Sequence, residues 1–139
     1  MRRLLLGLLL LPMACAEAPP LDAARPAARP RMLARAADIG ALVRAAMVCG
    51  RSLPVSAQDR AARLETAALA LRQEEAGTEG RDAFLRSMEP PAFTSRQGSR
   101  DRRAWCSARE AEIARLEAML AGPEGEALTA EAERLAPPE

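Results

Sequence analysis

At 139 residues the chain has room for one domain, and 20 Arg against 19 acidic residues is not the basic excess that bulk nucleic-acid binding needs. There is no His, which excludes a Ser-His-Asp triad, a His-ligated metal and a haem on a proximal His. There is no Tyr either, and Trp105, Phe84 and Phe93 are too few aromatics for a platform that stacks single-stranded nucleic acid.

Met1-Arg2-Arg3 opens the chain as a short basic stretch. Leu4 to Leu11 is an apolar run broken only by Gly7, and Pro12, Met13 and Ala14-Cys15-Ala16 follow. The run is far shorter than the ~20 residues of a membrane span, so residues 1–16 read as a signal peptide. Ala14 and Ala16 place cleavage after Ala16, which would make the product periplasmic or secreted. The rival reading is lipidation of Cys15, giving a membrane-anchored lipoprotein. Pro12-Met13-Ala14 fits a lipobox poorly, because its first position wants Leu. Arg2 and Arg3 lack the polar flanks of a twin-arginine signal. Cleavage removes these two Arg and no acid, leaving 18 Arg against 19 carboxylates. Either route takes Cys15 out of disulfide chemistry and leaves Cys49 and Cys106 as a pair in an oxidising compartment.

Residues 17–30 hold four prolines and little apolar bulk. They read as an extended, disordered spacer at ~3.1 Å per residue.

A first helix is expected from Pro30 to Cys49. Proline suits the first helical position, and Met32, Ala36, Ile39, Val43, Ala46 and Cys49 recur at spacings of three and four. Gly50 and Pro54 stop it. Met47-Val48-Cys49 offers soft ligands to copper(I), but a core Met beside a half-cystine is the plainer reading. Ser56-Ala57-Gln58-Asp59 resembles a capping box and predicts a second helix over 57–76, with Ala61, Leu64, Ala68 and Leu71 inward and Gly77 as its stop. Glu74 and Glu75 are adjacent in sequence and point different ways, so they make no catalytic pair. A short third helix is expected over 79–88, carrying Phe84, Leu85 and Met88 and ended by Pro90-Pro91. Residues 89–99 read as a loop that Phe93 pins to the core.

The segment 96–103 holds Arg96, Arg100, Arg102 and Arg103 against Asp101 alone, the densest cluster of Arg in the chain. It reads either as an anion contact or as a solvated loop leading into a helix. As a helix start it is awkward, because Arg opposes the macrodipole there, and Asp101 and the candidate cap Ser99 offset this only in part. The last predicted helix, 100–121, has Cys106, Ile113, Leu116 and Leu120 on one face with Trp105 and Met119 on its flank. Gly122-Pro123 ends it. The acidic residues 122–139 read as a loosely docked tail, with a weak helix around Leu128 and Leu135 as the alternative.

The expected fold is therefore all-α: a small bundle of three to four helices over 31–121, stapled by Cys49–Cys106, with disordered termini. Its helix faces rely on Ala, which buries little area per residue, so a domain of this size needs a staple. No CxxC, glycine-rich phosphate loop or metal-ligand cluster is present, so no catalytic, cofactor or metal site is assigned. The least poor enzyme candidates, Glu110 and Glu112 beside Arg109 and Arg115, have the spacing of surface ion pairs.

With ALVRAAMVCGR at 41–51 and RRAWCSAREAEIARLEAML at 102–120, the chain resembles small uncharacterised two-cysteine helical periplasmic proteins of alphaproteobacteria. The resemblance implies no catalytic residue. The layout is also similar to small periplasmic acid-stress chaperones, from which it departs in lacking Lys and in its Pro-rich spacer. The expectation is a non-enzymatic exported binding or scaffold module. Its partner would be an envelope protein or an anionic envelope component, without nucleic acid, and with a membrane only if Cys15 is lipidated. A chaperone-like envelope-stress protein is the alternative, and a carboxylate enzyme comes last. Intact mass of the protein purified from cells should fit residues 17–139 less two hydrogens. Full-length chain as the main species, or an unchanged thiol count, contradicts this reading.

Overall fold

The structure, a computed structural model, describes residues 30–94 and 96–135. The residues read above as a leader and as a spacer up to residue 29, Cys15 among them, and the last four residues lie outside them. Among the described residues there are four helices and no strand: α1 (Arg31–Val48), α2 (Val55–Ser87), α3 (Gly98–Ala121) and α4 (Pro123–Leu135). None of them is long and apolar enough to cross a membrane.

The inward stripe of α1 is the one its spacing predicts: Met32, Ala36, Ile39 and Ala46 are buried. Gly50 ends the turn after α1 at φ 67°, in the left-handed region that favours glycine. Cys49 at the end of α1 is joined to Cys106 in α3, with Cα atoms 5.5 Å apart. At the other end, Arg35 of α1 pairs with Glu124, just beyond the end of α3, at 3.1 Å. The start of one helix thus lies by the end of the other, and α1 and α3 run antiparallel.

The second and third predicted helices are arms of one element. α2 breaks at Ala76 and Gly77, where Gly77 has φ 62° and ψ −155°. The second arm folds back. Arg44 bonds Glu65 of the first arm at 2.7 Å and lies 3.6 Å from Met88 Sδ just past the second. A straight helix would hold those two residues about 34 Å apart. The start of α2 differs from expectation: the helix begins at Val55 after Pro54, and Ser56 lies inside it without capping. Likewise α3 begins at Gly98, with Gln97 rather than Ser99 at its N-cap position. Met47 is a third correction. It is 73% exposed rather than in the core, because it lies at the tip of the α1–α2 hairpin, where no other element covers it.

The largest correction is α4. Residues 123–135 are not a loose tail but a helix with Leu128 and Ala132 buried, in contact with α1, α2 and α3. Pro123 suits its first turn, and Glu124 and Glu126 sit there in favourable orientation to its dipole. A β-carbon on Gly125 would meet Leu120 Cα at 2.7 Å, so only glycine lets α4 start this close to α3. Every α4 glutamate has a partner: Glu124 pairs with Arg35, Glu126 with Arg60 and Glu133 with Arg63, while Glu131 accepts hydrogen bonds from the backbone N–H groups of Arg31 and Met32. α1 has no side-chain cap of its own, so Glu131 caps it from α4. Arg60 of α2 does the reverse at the end of α3, donating to the carbonyls of Leu120 and Gly122.

The core is lean, since eight of its nineteen buried hydrophobic residues are Ala. Arg44 and Glu65 add a half-buried ion pair across the hairpin. The Glu65 carboxylate holds the Arg44 guanidinium above its ordinary range, against the opposing effect of burial.

Two outcomes follow for stability. Cys49→Ser, which opens a crosslink spanning 57 residues, should leave a foldable domain weaker by about 2–5 kcal/mol, read as a lower melting temperature. Reduction should do the same and alter the fluorescence of Trp105, next to Cys106; an unmoved melting temperature contradicts the staple. Glu131→Ala should cost about 1 kcal/mol and expose the start of α1 to faster amide exchange. Unchanged exchange at Arg31 and Met32 would show that Glu131 does not cap.

Candidate functional site

The basic segment lies where the 89–97 connection enters α3. Arg96, Arg100, Arg102 and Arg103 are all exposed. Arg100 donates to Gln97 Oε1 at 2.6 Å and stands 4.0 Å from Asp101. Arg96, Arg102 and Arg103 have no hydrogen-bond or ion-pair partner among the described residues. Elsewhere seven of the twelve other described Arg are neutralised within the fold, Arg35, Arg44, Arg51, Arg60, Arg63, Arg72 and Arg81 each pairing with a carboxylate, while Arg31, Arg86, Arg109, Arg115 and Arg134 do not. The contrast has a local origin. Within 96–109 the only acid is Asp101, and the acids of α4 are already engaged by α1 and α2.

The patch stands on a firm base. Phe93 meets the half-buried Trp105 ring edge-on, with centroids 5.6 Å apart and planes at 64°. Arg109 stacks over the same ring at 4.2 Å. Gly98 is buried beneath the Phe93 carbonyl, and a β-carbon there would lie 3.1 Å from the Phe93 carbonyl carbon. Cys106 then ties the third turn of α3 to α1. The Arg side chains are therefore presented from a fixed backbone, with an aromatic pair and a fifth Arg beside them. The sequence marked the four Arg; it missed the Arg109–Trp105 stack, whose i, i+4 spacing was its only signal.

The residues weighed for acid–base chemistry are divided. Arg109, Glu112 and Arg115 line a groove between α1 and α3 with Arg35, Asp38 and Glu124. Glu110 instead pairs with Arg51 beside the disulfide, at 3.5 Å. Glu110 and Glu112 are both exposed. Cys49 is held in the disulfide and Met47 points to solvent, so the pair does not form a soft metal site. Among the described residues no group of His, Cys, Asp and Glu is arranged to hold a metal ion.

No protein-family model, curated protein or solved structure matches this chain.

Proposed function

We propose that the protein is a non-enzymatic binding module of the cell envelope. It is exported by its leader, stapled there by Cys49–Cys106, and holds an anionic envelope component against Arg96, Arg100, Arg102 and Arg103. The observation that carries the reading is a cluster of four exposed guanidinium groups, three of which, those of Arg96, Arg102 and Arg103, have no partner among the described residues, in a fold that pairs seven of its twelve other described Arg with carboxylates. Arg suits this role because its planar fork recognises phosphate and carboxylate groups in a bidentate manner. The position adds to it. The start of α3 carries the positive end of the helix dipole with only Asp101 in its first turn, so an anion there would relieve repulsion as well as gain contacts. Release into the periplasm after cleavage, or anchoring through an acylated Cys15, would both bring this surface to anionic polymers and headgroups.

Replacing Arg100, Arg102 and Arg103 with Gln should weaken sedimentation with anionic vesicles about a hundredfold, at about 1 kcal/mol per basic side chain near such a surface. Raising the salt should weaken the unmodified protein in the same way. Soluble cell-wall fragments in place of vesicles separate a polymer from a lipid partner. Equal retention of both forms at low salt on both supports removes the proposed contact.

A further inference from the structure

Cys49 and Cys106 form the crosslink of the bundle, yet the bond is not sealed inside it. Both residues are half-buried, and a cavity of about 190 Å³ is lined by the two cysteines together with Arg51, Ser107 and Glu110. A thiol in solution can therefore reach the sulfurs while the core stays folded. Arg51 and Glu110 pair with each other at 3.5 Å, so together they neither draw in nor repel an approaching anion strongly.

The two sulfurs differ in what surrounds them. Cys106 lies in the third turn of α3, four residues after Arg102 and three after Arg103, the spacing that makes side chains neighbours on a helix. These are two of the Arg without a partner among the described residues. Arg109, three residues further on, adds a third cation, and Glu110, the acid one position beyond it, is engaged by Arg51. Cys49 instead follows the last turn of α1, beside the carbonyls at the negative end of that helix. Thiol exchange is faster when the departing sulfur bears its negative charge easily, as it does next to Arg. The surroundings therefore select Cys106 as the sulfur that leaves and Cys49 as the sulfur attacked.

We infer that the Cys49–Cys106 bond is a thiol-responsive switch of the Arg patch, opened by attack on Cys49 with Cys106 as the leaving sulfur. An incoming thiolate bonds to Cys49 Sγ, the S–S bond breaks, and its electron pair leaves on Cys106 Sγ. When the reductant is a dithiol, its second sulfur then closes a disulfide within the reductant, and its proton goes to the released Cys49. The two electrons of the dithiol remain on the protein sulfurs. The Cys106 thiolate now stands beside Arg102 and Arg103 and supplies the partner they lack, in competition with an external anion. The same step frees the third turn of α3 from α1 and loosens the backbone that presents the patch. The switch rests on the anion-binding reading of the patch, whereas the thiol chemistry is measured with no anion present.

The chemistry is tested first. Oxidised protein is treated with glutathione, alkylated with iodoacetamide and digested. Mass spectrometry should find glutathione on Cys49 and the alkyl group on Cys106, and the pair of changes Arg102→Gln and Arg103→Gln should slow cleavage several-fold. Glutathione mainly on Cys106, or a bond that opens only in urea, overturns the proposal. The coupling is tested by sedimentation with vesicles of equal parts phosphatidylglycerol and phosphatidylcholine, at low salt and about pH 9.5, where an ordinary thiol is ionised. Cys49→Ser and Cys106→Ser both lack the crosslink, so any loss of order is common to them. Cys49→Ser keeps the Cys106 thiolate and should bind about fivefold more weakly than Cys106→Ser, the effect of one charge near such a surface. Alkylating Cys106 with iodoacetamide should remove the difference. The unmodified protein supplies a readout that needs no variant to fold. Saturating vesicles should shift its equilibrium with dithiothreitol toward the disulfide, by the same factor by which oxidised protein outbinds reduced. Equal binding by the two variants, or an equilibrium that vesicles leave unmoved, overturns the switch alone. Oxidised protein that binds neither vesicles nor cell-wall fragments removes the anion reading and the switch with it.

Discussion

The bond between Cys49 and Cys106 fixes the one geometric relation from which the rest of the bundle is laid out. It joins the end of α1 to the third turn of α3 and so sets those helices antiparallel. It matters because the core between them is thin. Ala36, Ala45 and Ala46 on α1, and Ala57, Ala61, Ala67 and Ala68 on α2, let helix axes approach closely but remove little apolar area from water. Only a few larger side chains, Met32, Leu64, Met88, Ile113 and Leu120, are fully enclosed. A crosslink that restricts the unfolded chain offsets what such a core lacks.

Charge does the remaining work of assembly, and it does so at helix ends. The starts of α1, α2 and α3 have no side-chain cap from their own sequence. Two open ends are closed from elsewhere. Glu131 reaches from α4 to the first N–H groups of α1, and Arg60 reaches from α2 to the last carbonyls of α3. These contacts have the sign the helix dipole favours at each end, an acid at the start and a base at the finish. They also explain why α4 docks although it buries only Gly125, Leu128 and Ala132. Its acids are engaged by α1 and α2, so the helix is held by charge on one side and by a small apolar seam on the other.

What the sequence made legible follows from which signals are local. The α1 stripe, the glycines at 50 and 77, the face of α3 and the pairing of two cysteines are all visible in short windows or simple counts. Glu131 and Arg60 act across 99 and 60 residues, and no spacing rule links such partners. The docking of α4 was hidden for the same reason, because its four glutamates read as solvated until the groups facing them are known. Met47 was misplaced because its nearness to the half-cystine Cys49 was read as burial. Whether such a residue is covered depends on what lies across the hairpin tip. The Arg segment was legible as a charge excess, but which of its members lack a partner is a property of the fold.

The start of α3 shows how these constraints combine. A helix with Arg at four positions around its N-terminus, one acid and no side-chain cap should fray. It does not have to hold itself. Phe93 and Trp105 pack behind it, Gly98 seats the first turn against the Phe93 carbonyl, and eight residues further on Cys106 is tied to α1. The crosslink therefore bears on more than global stability, because it supports the segment whose own electrostatics oppose helix formation. A surface that keeps unneutralised cations must draw its order from elsewhere in the fold, and here that order comes from the disulfide and the aromatic pair. The same tie that compensates for a lean core thereby lets a mutually repelling charge cluster persist in a helix.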